Sequence, residues 1–183
     1  MALFLLELQT NANDREAVDA VIDRTAEAAS AAGGEVLEAT VTGDHAQAFV
    51  VVSAEDRDAA VAAARGSQVR FTGPDEVRLV GATEDEVRAA RDSAGARYLV
   101  EWDFPPDLTM DTYLARKREK APLYDNVPEV SFLRTYVRED MSKCLCLYDA
   151  ACEADVLKAR EVVDTPVSRL HELGSARATS SAG

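Results

Sequence analysis

In the first half of the chain, segments with the apolar pattern of strands alternate with segments that have the period of a helix. The apolar run LFLLEL predicts a strand, and a helical period predicts a helix from about Asn13 to Ala32, which Gly33 and Gly34 end. EVLEATV and AQAFVVV, joined by a tight turn, predict a β-hairpin. A second helix from about Glu55 to Ala64 and a strand near EVRLVG complete the order βαββαβ, the split βαβ of the ferredoxin-like fold.

The same pattern restarts at Arg97. RYLVEWDF predicts a strand, and a helix opens at Thr109 and ends before Pro122. VSFLRTYV and KCLCLYDA predict a second hairpin. A helix from about Glu153 to Val163 and a strand after Pro166 close a second βαββαβ unit.

An alignment of the two halves indicates an internal repeat. Residues 36–54 align with residues 132–150 without a gap, and Glu7 in LLEL corresponds to Glu101 in LVEW. The predicted domains are a first repeat at 1–81, a linker at 82–96 with a short helix capped by Thr83 and Glu86, a second repeat at 97–173 and a disordered tail at 174–183.

This organisation predicts an α+β protein of tandem ferredoxin-like repeats. A four-stranded sheet of this kind carries helices on one face only, so each repeat needs a cover for its other face. We expect the two bare faces to pack together, in a dimeric α+β-barrel-like arrangement formed within one chain.

Strand alternation sorts the side chains of the second repeat between its two faces. The helix-covered side is expected to take the aliphatic set Leu133, Thr135, Val137, Leu145 and Leu147. The opposite side, which faces the expected pocket, then receives Phe132, Arg134, Tyr136, Cys144, Cys146 and Tyr148. Parity alone leaves both faces open for the strand RYLVEWDF, and we favour the set with Glu101 as the one that faces the pocket.

Composition limits the classes of partner. The chain has 183 residues and a net charge of -13, with 33 acidic and 20 basic residues, so nucleic acid is not an expected partner. No apolar run reaches the length of about 18 residues typical of a membrane span, and MALFLLELQT lacks the basic region of a signal peptide. A cytoplasmic location follows as an expectation. Cys144, Cys146 and Cys152 are expected to be reduced thiols.

Three segments carry a family resemblance: RYLVEWDFPPDLT, FLRTYVREDMSKCLCLYDA and PVSRL. Together they resemble a family of small ferredoxin-like domains of unknown function, common in actinobacteria, whose best-described members are nickel-binding or nickel-responsive proteins. The resemblance covers about Arg97 to Leu173 and implies a divalent metal, nickel, as ligand. Trp102 departs from the basic residue expected after the glutamate, and the first repeat has Val50 and Val52 where the second has Cys146 and Tyr148.

One hypothesis is a small-ligand or metal-binding protein. Cys144 and Cys146 are two residues apart on one strand and therefore project from the same face, where they suit a soft or borderline metal. Glu101 and His171 are the further candidate ligands. The alternative is that both cysteines fill the core.

A second hypothesis is an enzyme without an organic cofactor, of the cyclase, isomerase or monooxygenase type that uses this fold, acting on a small apolar substrate. Glu101 would act as general base, since it lies in an apolar strand, with Tyr136 and Tyr148 as acid and base groups. Arg134 would anchor a substrate carboxylate, and Trp102 and Phe132 would form the walls. The alternatives are an ion pair of Glu101 with Arg134, and tyrosines packed in the core. A third hypothesis is a stress-associated protein without a ligand. For the oligomeric state, both a monomer and a homodimer are kept as alternatives.

Overall fold

The computed structural model describes residues 1–92 and 95–174 of the chain. These residues form two compact units: unit 1 comprises 1–77, 83–92, 95 and 173–174, and unit 2 comprises 78–82 and 96–172. The tail predicted to be disordered lies outside the described residues from position 175 onward. Most of the predicted linker, 82–96, is grouped with unit 1.

Unit 1 contains the six elements expected of the first repeat. Its strands pair antiparallel in the order β2-β3-β1-β4, which is the ferredoxin-like order. Asp14 and Asp56 cap its two main helices by accepting hydrogen bonds from backbone N–H groups. The elements are β1 Ala2–Gln9, α1 Arg15–Ala31, β2 Glu35–Val41, β3 Gln47–Ala54, α2 Arg57–Gly66 and β4 Arg70–Val80, whose last three residues belong to unit 2.

The core of unit 1 is aliphatic and closely packed. Val50 and Val52 of β3 lie beneath the helices with Ala60 and Ala64 of α2, and all four are 0% exposed. Gly66 lets α1 and α2 approach, because a Cβ at this position would stand 2.2 Å from the Ala28 Cβ. A helix α3, Glu84–Ala89, follows with the capping box of Thr83 and Glu86, and then a 3₁₀ helix, Ala90–Asp92.

Unit 2 contains the six elements expected of the second repeat. Its strands pair antiparallel in the order β6-β7-β5-β8, again the ferredoxin-like order. Thr109 caps the first helix by accepting a hydrogen bond from the Thr112 N–H at 3.2 Å. The elements are β5 Tyr98–Asp103, α4 Met110–Lys120, a 3₁₀ helix Ala121–Asn126, β6 Val130–Arg138, β7 Lys143–Ala150, α5 Glu153–Val162 and β8 Arg169–Glu172.

The predicted division of side chains between the two faces of this sheet is wrong in the hairpin. Cys144, Cys146, Tyr148 and Phe132 pack with Tyr113 of α4 and Val156 of α5, so they lie on the helix-covered face. Thr135 and Val137 were placed on that face correctly, since they pair with Cys146 and Cys144. Leu145 and Leu147 lie on the opposite, helix-free face with Glu101, Arg134 and Tyr136.

Two physical causes explain this error. A bulge between Phe132 and Arg134 shifts the register, so that Phe132 and Thr135, three residues apart, share one face. In β7, alternation defines two sets of side chains but does not say which set meets the helices. Glu101 does lie on the helix-free face, as expected.

The fold class is therefore α+β with antiparallel pairing in each unit. The barrel-like packing of the two repeats stays a prediction. Within residues 1–92 and 95–174, no helix combines the length and apolar character needed to span a bilayer.

Candidate ligand-binding site

Unit 2 contains a cavity of about 520 Å³ on the helix-covered side of its sheet. Its walls come from α4, the following 3₁₀ helix, α5, the three strands β5 to β7, and the segment around Gly81. This volume lies within the range of about 300 to 1,000 Å³ typical of small-molecule sites. We call it the cationic cavity because its charged lining residues are Arg and Lys.

The charged residues that line the cavity are all basic. The described chain places no carboxylate side chain among the lining residues, although the protein has a net charge of -13. Asp164 approaches the rim, where Arg116 and Lys120 lie 3.6 and 3.9 Å from its carboxylate, but its side chain is 80% exposed. The basic lining residues are Arg116, Lys117, Arg118, Lys120 and Arg160.

Aromatic rings form the apolar part of the wall. Tyr124 stacks on Phe132 with ring centroids 5.5 Å apart, and Trp102 and Tyr113 are 6.2 Å apart. The Arg116 guanidinium lies 5.7 Å from the centroid of the Trp102 ring. Such walls suit the body of a small apolar or aromatic ligand.

Lys117 extends from α4 over the sheet. Its ammonium donates a hydrogen bond to the Thr135 hydroxyl at 3.0 Å and lies 3.9 Å from the centroid of the Phe132 ring. Burial lowers the pKa of this ammonium because the charged form loses hydration. A negative charge entering the cavity would restore part of the lost stabilisation.

Arg160 lies in the last turn of α5 and is 3% exposed. Its Nη1 donates to the Tyr148 hydroxyl at 3.1 Å, and its Nη2 donates to the Pro166 carbonyl at 2.5 Å. Its Nε–H has no acceptor within the described chain, and neither does that of Arg116. A buried donor without a partner costs about 1 to 3 kcal/mol, so both groups are energetically unfavourable in the described chain.

Cys146 lies at the floor of the cavity and is 2% exposed. Its sulfur accepts hydrogen bonds from the Thr135 hydroxyl at 3.3 Å and from Arg160 Nη1 at 3.5 Å, and lies 3.8 Å from Cys144 Sγ. The hydrogen bond with Cys144, with the charges of Arg160 and Lys117, lowers the pKa of Cys146 against the effect of burial. Burial raises the pKa of Cys144.

The second polar cluster of unit 2 surrounds Glu101 on the helix-free face. Its carboxylate accepts hydrogen bonds from Lys143 Nζ at 2.7 Å and from Arg169 Nε at 2.8 Å, and it lies 2.8 Å from His171 Nε2. Burial would raise the pKa of Glu101, but the hydrogen bonds with His171, Arg169 and Lys143 hold it well below its usual range. Glu101 is therefore a weakly basic carboxylate.

The predicted metal ligands do not form one site. Glu101 and His171 are in contact, but Cys144 and Cys146 lie on the other face of the sheet. The part of the chain that the structure describes contains no cluster of three or more His, Cys, Asp or Glu side chains suited to a metal ion. A four-residue centre of Glu101, Cys144, Cys146 and His171 is thus excluded by strand alternation.

The predicted catalytic and substrate-binding residues are also divided. Glu101, Tyr136 and Arg134 share the helix-free face, whereas Tyr148 lies beneath the helices with its hydroxyl 2.8 Å from that of Tyr124. Burial raises the pKa of Tyr148. Trp102 and Phe132, predicted as pocket walls, do line the cavity.

Sequence reasoning missed all of the basic residues that line the cavity. A signal was present in ARKREK, which places four cations on one helix of an acidic chain. Arg160 also carries a signal, because it falls at helical spacing with the buried Val156 and Ala159. Charge at an otherwise apolar helix position is the pattern that would have found it.

Comparisons with known proteins support the family resemblance. Residues 98–173 match the family model described as "Nickel responsive protein SCO4226-like". A search of curated proteins found no match.

Among solved structures, one described as a putative chlorite dismutase is similar, with a TM-score of 0.57 and 17% sequence identity over 96% of both chains. A putative monooxygenase from Fusobacterium nucleatum subsp. nucleatum has a TM-score of 0.44 and 13% identity, over 96% of this chain and 92% of that one. The similarity to the first of these structures shows a shared fold and nothing beyond it. The resemblance predicted for the second repeat is confirmed over residues 98–173.

Proposed function

We propose that unit 2 binds a small organic anion with an apolar body in the cationic cavity. The observation that carries this proposal is the lining of the cavity, where basic side chains, including that of the buried Arg160, lie beside aromatic rings with no carboxylate of the described chain among them. A carboxylate, sulfonate or phosphate would supply the missing negative charge.

Charge balance supports an anion over a neutral molecule. Arg160 and Lys117 are held where hydration is poor, and Lys117 has the neutral hydroxyl of Thr135 as its hydrogen-bond acceptor. Buried charges are normally paired or bound to a ligand, because desolvation penalises them. An anionic head group would pair with both.

Shape and lining support an apolar body for the ligand. The rings of Trp102, Tyr113, Tyr124 and Phe132 offer surface for a short alkyl chain or an aromatic ring. A cavity of about 520 Å³ accommodates a ligand of that size.

The test uses octanoate and octanamide, which have nearly the same shape but differ in charge. Trp102 is the single tryptophan of the chain and lines the cavity, so its fluorescence reports occupancy. Octanoate is expected to change the emission saturably and octanamide to bind at least about tenfold more weakly, because loss of a charged hydrogen bond costs about 1.5 to 3 kcal/mol. Equal affinity for both compounds would contradict the proposal.

Matched variants locate the binding. Lys120→Met and Arg118→Met remove cations at the cavity wall, whereas Arg78→Met removes a cation of unit 2 that pairs with Glu139 outside the lining. The first two are expected to weaken octanoate binding about threefold to tenfold and to reduce its dependence on salt, and the third to leave both unchanged.

A divalent metal remains a second candidate, favoured by the family match over residues 98–173 and by the contact between Glu101 and His171. Nickel would have to replace Lys143 and Arg169 as partners of Glu101 and take further ligands from elsewhere. Equilibrium dialysis against nickel, with elemental analysis of the wild type and of His171→Ala, tests this candidate. Absence of stoichiometric nickel in the wild type would remove it.

A further inference from the structure

We propose that Cys146 is a nucleophilic thiolate, and that the cationic cavity presents to it an organic anion carrying an electron-poor carbon, of the class of conjugated carbonyl compounds with a carboxylate. This inference rests on the proposed function, since it concerns the ligand of the same cavity. It gives a chemical role to the Cys146 thiol, which ligand binding alone would not require.

The surroundings of the sulfur favour its anionic form. Two donors point at it, the Thr135 hydroxyl at 3.3 Å and Arg160 Nη1 at 3.5 Å. Lys117 donates in turn to the Thr135 hydroxyl, which directs the hydroxyl proton toward the sulfur. Cys thiolates become reactive where positive charges and hydrogen-bond donors stabilise them in this way.

The cavity restricts what reaches the sulfur. Cys146 is 2% exposed and lines the cavity, so a reagent reaches it through the cavity. The same basic residues that stabilise the thiolate attract an anionic reagent and raise its local concentration. Cys152, by contrast, is exposed at the start of α5 and serves as an ordinary thiol of the same chain.

The proposed step is a conjugate addition. The Cys146 sulfur forms a bond to the β-carbon of the acceptor, the C=C π electrons move to the α-carbon and carbonyl oxygen, and the resulting enolate takes a proton from water. A C–S and a C–H bond form and the π bond is lost, so the step needs no oxidant or reductant. Reversal by elimination returns the thiolate and the acceptor.

The experiment uses benzoylacrylate and its neutral amide on the full chain with Cys152→Ser, followed by intact mass and peptide mapping. Benzoylacrylate is expected to modify Cys146 at least about tenfold faster than the amide does, after each rate is divided by the rate with glutathione. Cys146→Ser should abolish the adduct, and octanoate should slow its formation. An unmodified Cys146, or a charge preference equal to that of glutathione, would overturn the inference.

The outcome is separable from that of the binding proposal. If octanoate binds but benzoylacrylate leaves Cys146 unmodified, the cavity is an anion site and the thiolate inference is wrong. If Cys146 is modified with anionic preference but octanoate does not bind, the inference stands and the octanoate-like ligand class is wrong. The circular dichroism spectrum and the urea unfolding midpoint of Cys146→Ser, compared with those of the wild type, show whether the variant is folded.

Discussion

The two units share one element order and one strand order, but the space beneath their helices differs. The gapless alignment of residues 36–54 with 132–150, extended into the next helix, pairs Val50 with Cys146 and Ala64 with Arg160. All four side chains are buried. Unit 1 fills this space with aliphatic groups, and unit 2 surrounds a cavity with basic and aromatic ones.

The comparison shows which residues determine whether the space beneath the helices is filled. In unit 1, Gly66 and Ala28 let the two helices meet, and α1 has 17 residues. In unit 2, α4 has 11 residues, and the side chains that it contributes to the interior include Lys117 and Tyr113. Small residues at the helix contact give a filled core, whereas long cationic and aromatic residues surround a cavity.

The largest effect is expected from Ala64→Arg, which gives unit 1 the residue of unit 2. Ala64 is 0% exposed in a filled core, so the guanidinium would be buried without a counter-ion and should cost more than about 4 kcal/mol. Urea unfolding followed by circular dichroism measures the loss. Ala62→Arg, on the exposed side of the same helix, should change the free energy of unfolding by less than about 0.5 kcal/mol. Similar values for the two variants would show that the interior of unit 1 has room for a charge.

Glu101→Gln is expected to have the next largest effect. The substitution removes a buried carboxylate that pairs with Lys143 and Arg169, and it should lower the free energy of unfolding by about 3 kcal/mol at neutral pH. Glu129→Gln, which breaks an exposed pair with Lys158, should cost less than about 1 kcal/mol.

The same variant has a defined dependence on pH. Hydrogen bonds with His171, Arg169 and Lys143 outweigh burial and depress the pKa of Glu101 in the folded state. Its stabilising contribution is therefore present above the unfolded pKa of about 4.3 and is lost as the pH falls toward the folded pKa. The difference between wild type and Glu101→Gln should shrink below about pH 4. A difference that stays constant or grows on acidification would contradict this account of the cluster.

Gly66→Ala is expected to have the smallest effect of the three. The added methyl would stand 2.2 Å from the Ala28 Cβ, so the two helices of unit 1 must separate, at a cost of about 1 to 3 kcal/mol. Arg65→Ala, at the exposed neighbouring position, serves as the control in thermal unfolding. If Gly66→Ala is as stable as the wild type, the close contact between α1 and α2 is not what keeps the core of unit 1 filled.

The elements of both units were predictable because their signals are local. Thr109 and Pro122 bracket α4, Met110–Lys120, and the two predicted hairpins were found as β2-β3 and β6-β7. Glycines, caps and apolar periods act within a few residues, so they can be read from the chain directly.

The site was less predictable, for two physical reasons. The bulge after Phe132 puts Phe132 on the same face as Thr135, and a bulge leaves no reliable mark in the sequence. A cavity is also a property of how helices approach, so the spacing of Lys117 and Arg160, in separate helices, carries no sign that they share one space. The cysteine pair was recognised, but its neighbours are cations rather than the carboxylate expected from Glu101.

The most direct measurement is a crystal structure with bromooctanoate, whose bromine is located by its anomalous signal. We expect the bromine near Trp102 and Phe132 and a carboxylate oxygen within about 3 Å of a side-chain nitrogen of the basic lining residues. A cavity that stays empty at saturating ligand, or a carboxylate bound away from the basic residues, would contradict it.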